Sequence, residues 1–155
     1  MKTTWRARIY RLGYPLYNVY RRIFHPKNTG ACGVIEYQGK ILLIRNTYGD
    51  GSWNFPGGGI KKNENPIDAA IRETHEEVGI VIKSVTKIGE LLFDANNYDD
   101  TIHVFYAVAP NNNFKIDPNE ILEAKWFPME KIPLGDLSRV GSKIFKAFQE
   151  SEVSK

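Results

Sequence analysis

Residues 58–80 read GGIKKNENPIDAAIRETHEEVGI and combine a glycine-rich entry with five acidic side chains and one arginine. Glu73, Glu76 and Glu77 stand at positions i, i+3 and i+4, which share one side of a helix. Carboxylates placed so closely repel one another, and a hard divalent cation with oxygen ligands relieves that repulsion. Because magnesium also holds substrate phosphates, the segment is a candidate metal–phosphate site.

The spacing within this segment is specific. Written out, it is G58-x5-E64-x7-R72-E73-T74-x-E76-E77-x-G79-I80. It resembles the signature box of the Nudix hydrolases, G-x5-E-x7-R-E-U-x-E-E-x-G-U, in which U is an aliphatic residue. Every charged and glycine position matches, and only Thr74 departs from the pattern. We expect Thr74 to face the core, where its hydroxyl costs some packing and removes no ligand. The resemblance extends to Pro56-Gly57-Gly58 and to Trp126-Phe127.

The resemblance implies catalytic roles for the matching positions. Glu76 and Glu77 would be the main metal ligands, joined by the Gly57 carbonyl. Glu73 would be a further ligand or the base that deprotonates the attacking water, and the resemblance leaves this open. Arg72 would pair with a glutamate of the box and fix its direction. The implied cofactor is Mg²⁺, with Mn²⁺ as a possible substitute.

Several site residues are expected outside the four matched charges of the helix. Glu64 would tie the loop to the helix. A glutamate beyond the box often completes the site in this family, and Glu120 is the candidate here, with Glu123 as the alternative. Four residues are candidates for substrate binding: Gly58, Gly59, Arg45 and Trp53. For Arg45 and Trp53, packing in the core is an equally good alternative. The glycines allow a substrate to approach the backbone closely.

The implied activity is hydrolysis of a diphosphate linkage in a nucleoside diphosphate derivative. A metal site neutralises the anionic oxygens, positions the phosphates and activates water. The substrate would be a nucleoside triphosphate or a nucleotide sugar such as ADP-ribose, and the box does not choose between them. The alternative is a domain that senses a nucleotide or binds RNA without hydrolysis. The complete set of Glu73, Glu76 and Glu77 argues against that alternative.

Composition is that of an ordinary soluble globular protein, and 155 residues predict one compact domain. No apolar run is long enough to span a bilayer. Cys32 is the only cysteine, so it has no partner for an intrachain disulfide, and its apolar surroundings predict a buried thiol. A reducing, cytoplasmic location fits this cysteine usage.

Charge divides the chain into two parts. Residues 1–29 contain seven basic side chains and no acid, so the net charge of +3 leaves −4 for the rest. We predict a basic, aromatic and helical arm over residues 1–29 and a Nudix domain over residues 30–150. Packing on the domain or on a second subunit, as in a homodimer, is the simplest role for the arm. Contact with RNA or an acidic membrane, or a transit peptide, is the alternative.

The order of the predicted strands and helices indicates a sheet sandwiched between helices, and the resemblance implies the same α/β/α sandwich with a mixed β-sheet. A loop is expected over Gly57–Asn65, and the box helix should bury Ile67, Ala70, Ile71, Thr74 and Val78. The expected strands are Ala31–Tyr37, Lys40–Arg45, Lys83–Phe93, Thr101–Ala109 and Glu123–Phe127, the first two joined as a hairpin through Gln38-Gly39. The expected helices are Pro66–Val78, capped by Asn65 and ended by Gly79, and Asp136–Glu150.

Overall fold

The computed structural model describes Gly13, residues 28–94 and residues 99–154. The predicted arm therefore lies outside the described residues, apart from Gly13, Asn28 and Thr29. Neither long helix in the described ranges has the length and apolar composition that crossing a bilayer requires.

The described residues form one mixed six-stranded sheet between two helices, which confirms the predicted sandwich. The strands are β1 Thr29–Tyr37, β2 Lys40–Asn46, β3 Gly57–Gly59, β4 Thr86–Asp94, β5 Asp99–Val108 and β6 Ile121–Pro128. Their order is β4-β5-β1-β2-β6, with β3 paired to β1. Only β1 and β5 run parallel, and the other described pairs are antiparallel. The helices are α1 Pro66–Val78 and α2 Arg139–Glu150, and short 3-10 helices cover Met129–Lys131, Leu134–Asp136 and Glu152–Ser154.

The β1–β2 hairpin forms as predicted. Gln38 and Gly39 have φ of 48° and 74°, and two consecutive positive φ values match the two-residue turn that suits the right-handed twist of paired strands. The Gly39 N–H donates to the Glu36 carboxylate, which also accepts a hydrogen bond from the Tyr106 hydroxyl of β5. The turn is thus linked to the strand on the other side of β1.

Beyond this turn the two strands separate, and the chain segment before the box fills the gap. β1 and β2 pair only at Glu36–Ile41 and Tyr37–Lys40. Asn54 exchanges two backbone hydrogen bonds with Ile44 of β2, while β3 pairs with the start of β1. The predicted loop over Gly57–Asn65 is therefore wrong at its start, because the backbone of Gly57–Gly59 completes the sheet as a short strand.

Two hydrophobic cores lie on the two faces of the sheet. One core joins β1, β2 and β5 to α2 and contains Cys32, Val34, Leu43, Val104, Ile144, Phe145 and Phe148. The other face carries α1, with Ala31, Ala69, Ala70 and Phe105 in one cluster and Ile35, Leu42, Val78 and Ile80 in another. Cys32 is buried as expected, and burial raises the pKa of its thiol to about 12.

The ends of α1 agree with the sequence, but part of its buried face and the start of the second helix do not. Asn65 accepts a hydrogen bond from the Asp68 N–H, and Gly79 ends α1 in the left-handed conformation. Ile67 is exposed rather than buried, because the sheet lies under Ala69 and Ala70 instead. The second helix starts at Arg139, later than expected, because Ser138 caps it and Leu134–Asp136 forms a 3-10 turn.

Phe148 offers a test of the α2 core. Its side chain is fully buried and its ring stacks on Tyr106 at 5.8 Å between centroids. We expect Phe148→Ala to lower the free energy of unfolding by about 3–5 kcal/mol, because the lost contacts leave a cavity. Urea denaturation measures this loss. Phe114→Ala, at a partly exposed phenylalanine, is the matched control and should cost less than about 1 kcal/mol. Equal losses in the two variants would contradict the described packing.

Candidate active site

Helix α1 packs closely against the glycine strand β3 and against β1. Ala69 and Ala70 present only methyl groups to the sheet, and a Cβ on Gly33 would lie 3.2 Å from the Thr74 hydroxyl. That hydroxyl donates to the Ala70 carbonyl one turn earlier at 2.8 Å, so its burial leaves no unpaired polar group. The departure at Thr74 therefore faces the core as expected, and its hydroxyl is satisfied within the helix.

Glu77 is the buried carboxylate of the site. Its side chain is 2% exposed, and one oxygen accepts a hydrogen bond from the Gly57 N–H at 2.8 Å. Burial raises the pKa of Glu77 well above its ordinary value, the Gly57 hydrogen bond opposes this, and the nearby charges of Glu73, Glu120 and Glu76 raise it further. A carboxylate in these surroundings favours either a proton or a cation.

Arg72 organises the other carboxylates of the site. Its guanidinium donates two hydrogen bonds to Glu64, at 2.7 and 2.8 Å, and one each to Glu73 at 2.5 Å and Glu76 at 3.0 Å. A further hydrogen bond reaches the Gly59 carbonyl at 3.0 Å. The hydrogen bonds from Arg72 hold the pKa of Glu64 at about 2, and those to Glu64 raise the pKa of Arg72 above its usual range. Arg72 thus connects β3, the following turn and α1.

Glu73 lies directly against Gly58. A Cβ built on Gly58 would come within 2.6–2.8 Å of the Glu73 carboxyl group, whereas one on Gly59 would meet no atom within 4 Å. Any side chain at position 58 would therefore push the Glu73 carboxylate away from the strand. The glycine is required here by close approach.

The structure places Glu120 and Glu123 in different surroundings. The Glu120 carbonyl accepts a hydrogen bond from the Thr47 N–H, and its charge acts on Glu77. Glu123 is paired across β2 and β6 with Arg45, at 3.6 Å between Nη1 and Oε2. Of these two candidates, Glu120 is thus the one that lies within electrostatic range of the box carboxylates.

The donor set suits a hard divalent cation, although the side chains do not converge on one point. Within the described ranges, no group of three His, Cys, Asp or Glu side chains is arranged to hold a metal ion. The reason is visible at Arg72, whose Nη1 lies between Glu73 and Glu76 and hydrogen-bonds to both. Glu76 is half exposed, so packing does not fix the position of its carboxylate. A buried carboxylate with acidic neighbours and oxygen donors alone is the chemistry that Mg²⁺ prefers.

A cleft of about 740 Å³ adjoins the glycine strand. It lies between the start of β1, the start of β5 and helix α2, and both Gly58 and Gly59 line it as expected. The other lining residues include Asn28, Thr29, Asn54, Phe55, Lys61, Asp100, Ile102 and Val140. The side-chain amide nitrogen of Asn28 is buried there and has no hydrogen-bond partner among the described residues.

The structure does not bring Arg45 and Trp53 to this cleft. Trp53 is buried in the α2 core, where its ring contacts Phe127 edge-on at 5.0 Å, so core packing describes its position better than substrate contact. The Arg45 guanidinium lies 4.4 Å from the centre of the Trp53 ring and pairs with Glu123. Substrate contact by Arg45 stays a prediction.

Sequence reasoning missed Lys61 and Asn54 as lining residues of the cleft. Lys61 occupies a position of the box that the pattern leaves variable, so the motif carried no signal for it. Asn54 follows Trp53 in the segment that enters the sheet between β1 and β2, and only its pairing with Ile44 reveals that position.

Fold and site together define an α/β/α sandwich in which helix carboxylates face a glycine strand beside a cleft. A family model described as "NUDIX domain" matches residues 24–148, and this chain belongs to the Nudix family. The oxidized purine nucleoside triphosphate hydrolase of Danio rerio is 31% identical over 110 residues, which cover 67% of this chain and 68% of that protein. The MutT protein from Methanosarcina mazei Go1 superposes with a TM-score of 0.72 at 26% identity, over 85% of this chain and 99% of that one.

A further relative is much longer than this chain. The m7GpppN-mRNA hydrolase of Saccharomyces cerevisiae is 35% identical over 106 residues, which are 66% of this chain and 11% of that protein. This chain thus matches one part of the yeast protein, and the substrate of the whole yeast protein is not assigned to this chain.

The low pKa of Glu64 leads to a prediction. Its folded pKa, about 2, lies below the ordinary 4.5. The pairing therefore stabilises the fold above pH 4.5, and this contribution is lost as the pH falls through about 2. We expect the Glu64 carboxyl carbon to show no titration in NMR spectra between pH 6 and 3. In Arg72→Gln it should titrate within this range, whereas Lys87→Gln, which removes an ion pair elsewhere, should change nothing. Titration near 4.5 in the unaltered protein would contradict the Arg72 geometry.

Proposed function

We propose that this protein is a magnesium-dependent hydrolase that cleaves a diphosphate linkage in a nucleoside diphosphate derivative. One observation carries the proposal: the buried Glu77 is hydrogen-bonded to Gly57 and Glu73 lies against Gly58, both in the glycine strand that lines the cleft. Membership of the Nudix family supports the same reaction class. An isolated acidic helix face would not need a buried carboxylate or a glycine at position 58.

The residues that would hold magnesium are Glu73, Glu76 and Glu77, with Glu120 beside them and the Gly57 carbonyl as a further donor. When bound, magnesium neutralises phosphate charge and activates water. The chain's own contribution is positional. The Gly57 N–H fixes the direction of the Glu77 carboxylate, and the absence of a side chain on Gly58 lets Glu73 and a substrate share the strand. Glu73 is a ligand or the general base, and both roles fit its position.

The substrate class is a nucleoside triphosphate or a nucleotide sugar such as ADP-ribose. A cleft of about 740 Å³ has the size of sites that enclose a ligand as large as a nucleoside. Asn28 and Asn54 offer amide groups in it, and Phe55 and Ile102 offer apolar surface. The name of the Danio rerio relative supports the triphosphate.

A second candidate is nucleotide sensing or RNA binding without hydrolysis. One observation favours it: the basic residues 1–27 join the domain at Asn28 and Thr29, which line the cleft. Lysine and arginine side chains contact the phosphates of RNA, and binding of this kind weakens with salt. Salt-sensitive binding of 5′-triphosphate RNA in a separate binding assay, with no substrate cleaved in the screen below, would favour this candidate.

The proposed reaction predicts which carboxylates are essential. We expect Glu76→Gln and Glu77→Gln each to lower turnover by about 100-fold or more, since even residues that only support metal ligands typically contribute 10–100-fold. Glu150→Gln, on the exposed face of α2, is the matched control and should retain activity. The assay screens nucleoside triphosphates, oxidised purine triphosphates, ADP-ribose, other nucleotide sugars, dinucleoside polyphosphates and 5′-triphosphate RNA, with magnesium, manganese or chelator. Full activity in both glutamine variants, or in chelator, would refute the proposal.

Gly58 in β3 leads to a second prediction. In Gly58→Ala the new methyl group displaces the Glu73 carboxylate and leaves the backbone in place, because the atoms it meets belong to that flexible side chain. We expect a loss of about 10²-fold in kcat, as for other misplacements of roughly 1 Å. Gly135→Ala is the control, because a Cβ at this exposed glycine also meets no atom within 4 Å and Gly135 does not line the cleft; its activity should stay within about twofold. Equal activities would show that the position of Glu73 does not matter.

A further inference from the structure

The charges around the cleft are uneven. Among the described residues that line it, Lys61 is the only basic one, while Glu64 and Asp100 are acidic. Arg72 is not among the lining residues, and its guanidinium is engaged by three carboxylates and the Gly59 carbonyl. A phosphate in the cleft would therefore find one candidate cation from the described part of the chain.

The backbone of Lys61 is held in place by the box itself. Its N–H donates to the Glu64 carboxylate at 2.8 Å, and its carbonyl accepts from the Glu64 N–H at 3.0 Å. Glu64 is in turn held by two hydrogen bonds from Arg72. Lys61 therefore leaves the turn between β3 and α1 from a fixed point, two residues after the glycine strand.

The side chain of Lys61 lies beside Glu76, and Lys61 is also one of the residues that line the cleft. Its ammonium lies 3.6 Å from a Glu76 oxygen, and the two side chains are 64% and 51% exposed. An ion pair so exposed contributes little to stability, so the ammonium can change partner at small cost. If Glu76 bound a cation, its carboxylate would attract the Lys61 ammonium less strongly. A substrate phosphate beside the glycine strand is then the alternative anion for Lys61.

We propose that Lys61 is a substrate-binding residue whose ammonium exchanges Glu76 for a phosphate group of the substrate at the cleft edge of Gly57–Gly59. The inference rests on the proposed function, because it takes a phosphate-bearing ligand to occupy the cleft. It assigns to a variable position of the box a role that the motif does not encode.

The test compares neighbouring lysines in the full chain. Lys62 is exposed on the same turn and is not among the lining residues, so Lys62→Met is the matched control for Lys61→Met. Binding of a nonhydrolysable methylene-bridged nucleoside triphosphate and of inorganic triphosphate is measured by calorimetry at several salt concentrations. We expect Lys61→Met to weaken binding about tenfold, the size of a lost charged hydrogen bond, and to flatten its salt dependence. Lys61→Arg should restore most of the affinity, and Lys62→Met should stay within about twofold.

Kinetics and stability separate this role from a structural one. With a substrate that is hydrolysed, Lys61→Met should raise KM more than it lowers kcat, and its melting temperature should match that of Lys62→Met. Equal affinities in the two methionine variants would overturn the proposal, as would failure of the unaltered protein to bind either probe. Binding that depends on Lys61 without hydrolysis of any substrate would refute the proposed hydrolase and leave the role of Lys61 intact.

Discussion

The hydrogen bond from the Gly57 N–H to the buried Glu77 carboxylate is the contact on which the site depends. A carboxylate removed from water is costly unless its charge is compensated, and one backbone N–H compensates it only in part. Its other neighbours in electrostatic range, Glu73, Glu76 and Glu120, make the charge still less favourable. The fold therefore holds an acidic group whose surroundings favour either a proton or a cation, and a cation there is what the proposed metal-assisted reaction requires.

This contact exists only because α1 can approach the sheet closely. Ala69 and Ala70 bring the helix down onto β1, and Gly58 leaves room for the Glu73 carboxyl group. Arg72 then offsets the repulsion between Glu73 and Glu76 and fixes the turn through Glu64. Small residues and one bidentate arginine thus hold the loop and the helix of the box together as one unit.

Much of this unit was predictable because its residues are close in sequence. Helical spacing placed Glu73, Glu76 and Glu77 together, and Asn65 and Gly79 marked both ends of α1. Two features were not predictable. The register of Gly57–Gly59 against β1 is a tertiary pairing, and the exposure of Ile67 follows from which alanines meet the sheet. Local pattern shows that a helix has an apolar side, but the packing partner decides which residues of that side are covered.

The residues that line the cleft were even less predictable from the sequence. It is assembled from the starts of β1 and β5, the segment that fills the gap between β1 and β2, and helix α2. Asn28, Asn54 and Asp100 are far apart in the chain and carry no spacing that a motif could record. In the proposed function, reaction chemistry is concentrated in one continuous segment, while substrate selection is distributed over several elements. The box can therefore stay unchanged while the lining of the cleft varies residue by residue. For this reason the box indicates the reaction class, whereas the residues of the cleft are identified only by the structure.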